Sequence, residues 1–260
     1  MRQLLALFAA ASLAGAVCAQ DAPAPPPKTE NDGLDPTAPA RFAKLTFEHI
    51  DLNLPAGAPF GDNANSFIFE FQQPFGSNSL KLKAPVSSVD VLGDASYGLG
   101  DVSAKLTHVF GVTRSHGMVV NFELVADTAS RAELGGGKWV AKPGFIYAVF
   151  LKGGHIFAPA IVQSLSFAGS SNRADINQTV IDFYFVPKFK GSPFYMTLDP
   201  ALTHDWENEK TFLTTALTMG YKVGPMLGGN GQVFVKPSVG LGADRASDWG
   251  LQVGFQLLNF

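Results

Sequence analysis

Residues 248–260, DWGLQVGFQLLNF, alternate strictly. Trp249, Leu251, Val253, Phe255 and Leu257 fall on one parity, and Gly250, Gln252, Gly254 and Gln256 fall on the other. Successive side chains of a strand point to opposite faces, so the stretch predicts a strand with one bulky apolar face and one small or polar face. Leu258 and Phe260 fall on the polar parity, which predicts a bulge near Leu257 if the apolar face is to continue.

Eleven earlier segments also read as extended: 44–54, 65–73, 79–85, 100–110, 117–127, 139–151, 155–167, 177–190, 193–204, 211–223 and 231–243. Many exceed the ~5–6 residues usual for soluble strands and suit the ~9–11 tilted residues that cross a bilayer. Short connections (74–78, 111–116, 152–154, 191–192, 224–230) alternate with longer or more charged ones (55–64, 86–99, 128–138, 168–176, 205–210, 244–247). An even-stranded membrane barrel has this rhythm, with short periplasmic turns, longer external loops and both chain ends in the periplasm.

Composition narrows the choice. Only 16% of residues are charged, against roughly 25% in soluble domains. Past the N-terminus no run of ~18 apolar residues supplies a spanning helix. The expectation is an all-β, transmembrane antiparallel up-and-down β-barrel of about 12 strands over residues 44–260. A soluble barrel would need the pattern inside out, and ~8 strands already reach the width that side chains can fill. The net charge of −3 and the lack of a Lys/Arg-rich run give no sign of a nucleic-acid partner.

Residues 1–19 predict a secretory signal: Arg2, an apolar run over 4–17, then Val17-Cys18-Ala19 with a cut before Gln20. That cut removes the single Cys and with it any thiol chemistry. Residues 20–43, rich in Pro and Ala and without periodicity, read as a disordered or extended periplasmic leader.

The terminal strand ending in Phe260 resembles the closing strand of bacterial outer-membrane barrels, whose final aromatic is read by assembly machinery. The resemblance implies an outer-membrane location, lipid contact, and that machinery as a partner of the Phe260 strand. Residues 97–106, Tyr-Gly-Leu-Gly-Asp-Val-Ser-Ala-Lys-Leu, are similar to the outer-membrane transporter family named for the meta-cleavage pathway of phenol degradation. Repeated Gly-aromatic hairpins, Lys-Pro-Gly at 142–144 and Lys-Pro-Ser at 236–238 agree. The likeness spans about residues 90–260, and only Gly98 to Lys105 is specific. It departs at Leu258, where family endings carry an aromatic. It implies passive passage of small solutes, aromatic or otherwise hydrophobic, and brings no catalytic residues.

Chemical motifs are weak. Gly135-Gly136-Gly137-Lys138 lacks phosphate-loop spacing and leads into a strand. The five His residues lack metal spacing, so neither a metal nor a cofactor is expected. Ser115-His116 is the nearest echo of a hydrolytic pair, but it falls on a predicted periplasmic turn. A lipid-modifying enzyme and a purely structural barrel remain the alternatives.

The predicted lumen parity carries Lys105, Glu123, Lys142, Asp182, Lys188, Asp199, Lys222 and Lys236, with Tyr184, Tyr195, Phe212 and Phe234. These residues brace the barrel by salt bridges, or they line a path where rings contact a flat solute and charges steer it. Glu123, Asp182 and Asp199 are expected to pair with Lys105, Lys142 and Lys236 across neighbouring strands. Five segments also carry an interior Pro: 143, 159, 187, 200 and 237. These residues sit beyond the bilayer or at bulges, or they open the wall sideways.

Overall fold

The computed structural model describes residues 31–54, 60–91 and 96–260. Residues 1–30, which include the expected signal segment and most of the expected leader, lie outside the described residues. The strands are β1 Phe42–Leu52, β2 Phe60–Phe75, β3 Asn78–Val91, β4 Gly98–Leu99, β5 Ser103–Phe110, β6 His116–Val125 and β7 Lys138–Phe150. They continue as β8 Ile156–Gly169, β9 Asn177–Val186, β10 Phe194–Asp205, β11 Lys210–Met226, β12 Gly229–Leu241 and β13 Ser247–Leu258. Every pairing is antiparallel between neighbours, β13 pairs with β1, and the β2–β3 pairing completes the ring. The two-residue β4 lies against the C-terminal part of β3 and is not a wall strand. Twelve long strands therefore form a closed barrel, which leaves no sheet edge unpaired.

Side-chain alternation sorts the two faces. Leu45, Phe47, Phe67, Phe69, Leu80, Phe122 and Val253 are exposed on the outside, while Thr46, Glu70, Ser79 and Val119 on the opposite parity are buried. So much exposed apolar surface suits lipid rather than water. Rings mark the margins of this band: His49 meets Trp249 at 5.0 Å at one end, and His116 stacks on Tyr147 at 5.6 Å at the other.

Four prolines interrupt the ladder locally. Pro237 stays in register with Leu251 on β13, but on β11 the pairing jumps from Ala216↔Ser238 to Met219↔Val235. Pro143, Pro159 and Pro200 likewise keep one neighbour and break with the other. A ring nitrogen cannot donate, so the hydrogen bonds on that side are lost. Pro187 follows the end of β9.

The expected bulge near Leu257 is absent. Register between β1 and β13 runs unbroken from Phe42↔Leu258 to Asp51↔Trp249. Leu258 instead points inward and is buried, packed against Gly33. An apolar side chain is tolerated on the polar face because chain from before β1 covers it.

Candidate solute pathway

The wall carries a ladder of charge. Glu70 on β2 binds Lys44 on β1 and, at 3.0 Å, Lys81 on β3. Lys81 stands opposite Lys105 in register. Lys105 turns instead to Glu123 on β6, at 3.1 Å, and Ser103 donates to the same carboxylate at 2.6 Å. Two like charges in register are thus each neutralised by a different carboxylate, which removes their mutual repulsion. On the opposite wall Lys236 on β12 reaches Asp199 on β10 at 2.9 Å, across the intervening β11.

The expected pairing of neighbouring strands holds for Lys105–Glu123. Lys236–Asp199 spans one strand more than expected, because the residues between them on β11, Ala216 and Thr218, are small. Among the described residues Lys142 has no carboxylate within ion-pair distance, although it is in register with Glu123. Asp182 has no cation there, and its Oδ1 is buried without a hydrogen-bond partner. Phe212 lies near the end that carries the long loops, opposite Thr203. Sequence reading passed over Lys44, Glu70 and Lys81, whose alternation with Leu45, Phe69 and Leu80 is the signal that places them inside.

Residues 31–41 differ most from expectation. Part of the predicted disordered or extended leader, this stretch crosses the lumen at the end that carries the short turns. Asp32 Oδ2 accepts from Lys188 at 2.9 Å and Lys222 at 3.0 Å, and Gln232 donates to the Asp32 carbonyl at 3.2 Å. Tyr184 donates to the Leu34 carbonyl at 3.3 Å. Thr37 lies against Gly117 on the far wall, and Gln72 donates to the Ala40 carbonyl at 2.9 Å. The chain is anchored on β9, β11, β12, β6 and β2 in turn. Only Pro36 and Pro39 lack an N–H, and the N–H groups of Gly33, Leu34, Thr37 and Ala38 bond within the segment, so the carbonyls of Asp32, Leu34 and Ala40 are left to amide and phenol donors on the wall. Burial pushes the Asp32 carboxyl up, and the two ammonium groups more than offset it, so the carboxyl lies below its ordinary value. Arg41 then closes the seam, donating to the Phe260 carbonyl at 2.6 Å with its guanidinium 4.4 Å from the ring.

Asp32 separates two cavities. One of about 270 Å³ lies among Asn31, Lys222, Asn230 and Leu258. The other, about 210 Å³, lies deeper in the lumen and brings together Tyr184, Tyr195, Asp199, Phe234 and Lys236 with Lys44 and Gln252. Lys105 lines a third, also about 210 Å³, across the leader. Glu123, Lys142, Asp182 and Phe212 line none of the three. Glycines admit the rings: a Cβ on Gly220 would fall 2.0 Å from the Tyr195 ring, and one on Gly254 would fall 2.4 Å from the Phe234 ring.

The Gly98–Asp101 motif works at the rim that carries the long loops. Asp101 accepts from the backbone N–H of Thr128, Ala129 and Gly136, at 3.1, 3.1 and 2.7 Å. Arg173 binds the Gly135 and Gly136 carbonyls. Three of the long loops are thereby joined, and Leu134 is buried against Gly98. Ser115 and His116 do hydrogen-bond at 3.1 Å, but on an exposed turn where Thr113 also binds the imidazole. No group of three or more metal-ligating side chains occurs among the described residues.

A closed twelve-stranded barrel with an apolar exterior and a polar, partly filled lumen has the fold of the small outer-membrane channels. An outer membrane channel from Pseudomonas putida F1 superposes with a TM-score of 0.67 at 10% identity, over 89% of this chain and 100% of that one. The NanC porin gives a TM-score of 0.57 at 9% identity over 85% of this chain and 100% of the other. The KdgM porin gives 0.53 at 11% identity over 84% and 99%, and has also been solved in complex with disordered oligogalacturonate. No family model and no curated protein matches the sequence.

Proposed function

We propose that this protein is an outer-membrane channel through which small solutes, aromatic or otherwise hydrophobic, diffuse passively. The observation that carries the reading is the lumen cavity of Tyr184, Tyr195, Phe234 and Lys236, bounded on its periplasmic side by residues 31–41. The rings of Tyr195 and Phe234, seated over the wall glycines Gly220 and Gly254, offer apolar contact, and the flanking charges keep the space hydrated. The likeness of residues 98–105 to the phenol meta-cleavage family supports an aromatic solute. The same reading takes residues 1–19 as a secretory signal cut before Gln20, and the strand ending at Phe260 as the segment that the barrel assembly machinery engages.

The test is reconstitution of the purified protein in planar bilayers and liposomes. Discrete conductance and solute-driven swelling are expected. Lipid turnover abolished by His116→Ala would instead favour a membrane hydrolase, and an electrically silent, solute-tight barrel would leave a structural role.

A further inference from the structure

We infer that Lys188 and Lys222 form a binding site for the carboxylate of a small flat solute, a site that Asp32 of the same chain occupies as a tethered stand-in. The inference rests on the channel reading and names its substrate class. Both ammonium groups converge on a single oxygen, Oδ2 of Asp32, at 2.9 and 3.0 Å. Neither has another carboxylate within ion-pair distance among the described residues. Two cations brought this close repel unless an anion lies between them, so the site is built around a carboxylate and not merely tolerant of one.

The surroundings define the rest of the ligand. The cavity of about 210 Å³ beyond Asp32 is bordered by Tyr184, Tyr195 and Phe234. A cavity of roughly 150 Å³ is enough for benzene. An aromatic monocarboxylate lying there would set its ring against these side chains and its carboxylate where that of Asp32 now sits. Tyr184 and Gln232 already donate to the carbonyls of Leu34 and Asp32, so both are turned toward this position. A second anion, Asp199, is held by Lys236 and therefore does not compete for the pair. Because Asp32 is tethered, its effective concentration at the lysines is on the order of millimolar or above. A free solute therefore exchanges with it weakly and leaves readily, as passage requires.

Calorimetric titration of the full chain in detergent, with benzoate as probe and benzyl alcohol as its uncharged counterpart, tests this. Wild type is expected to bind benzoate in the millimolar range, and Asp32→Ala to bind it about tenfold more tightly. Asp32→Ala with Lys188→Met and Lys222→Met is expected to lose binding, and benzyl alcohol is expected to bind no variant comparably. Heat-modifiable migration reports whether each variant is folded, and Lys222→Met alone, expected to weaken benzoate severalfold, covers the case in which the triple variant does not fold. Equal binding of the two probes, or no gain in Asp32→Ala, would overturn the inference. Failure of the channel reading is seen separately, as absent conductance, whatever the titration gives.

Discussion

The carboxylate of Asp101 accepts the backbone N–H of Gly136 at 2.7 Å, tying the loop after β6 to the turn that precedes β5. The Asp of the motif most specific to the family resemblance is therefore a loop anchor. Asp101→Ala is expected to cost about 1–2 kcal/mol, since it removes charge-assisted bonds at a partly solvated site. Limited proteolysis should then cut within residues 126–137 faster than in wild type, with the barrel core resistant.

Deleting residues 31–40 removes the chain that crosses the lumen while leaving every wall strand whole. Single-channel conductance is expected to rise severalfold. An unchanged conductance would mean that solutes already bypass this segment.

Glu123 carries both Lys105 and Ser103. Glu123→Gln leaves Lys105 facing Lys81 with one anion fewer, at a cost of roughly 1–3 kcal/mol. A lower unfolding temperature with little change in flux is expected, because Glu123 lines none of the three lumen cavities. Altered flux at unchanged stability would make it part of the pathway.

Tyr195 lies over Gly220 so closely that an added methyl cannot fit. Gly220→Ala should destabilise by about 1–3 kcal/mol through overpacking. Combining it with Tyr195→Ala should recover much of that loss, and a double-mutant cycle on thermal unfolding measures the coupling.

The Asp32 tether should respond to acid. Its carboxyl lies below the ordinary value of about 3.9. The contribution of the tether is therefore full above that value and is lost as pH falls through the lower one. The groups facing it are Lys188, Lys222, Tyr184 and Tyr195. Conductance followed from pH 7 downward should rise in a step that lies below about pH 3.9. Asp32→Asn should abolish that acid step.

The barrel was written locally. A two-residue period, long segments and alternating short and long connections are properties of neighbouring residues, and they determined strand number, hairpin order and which face meets lipid. The inward placement of Lys105, Glu123, Tyr195 and Lys236 followed from parity alone. Partners did not follow, because Lys236 reaches Asp199 over a strand of small residues and Lys142 does not take the carboxylate opposite it. The largest departure was residues 31–41. Their composition lacks periodicity and reads as leader, since no cation near them in sequence meets the Asp32 charge and no neighbouring donor meets the Asp32 and Leu34 carbonyls. The donors lie 150 to 200 residues away, on Tyr184, Lys188, Lys222 and Gln232. Consecutive pairing of β9 to β12 gathers those four side chains, and closure of β1 on β13 brings the chain before β1 to them. Leu258 shows the same division: its parity was legible, but the burial that permits it depends on Gly33 packed against it.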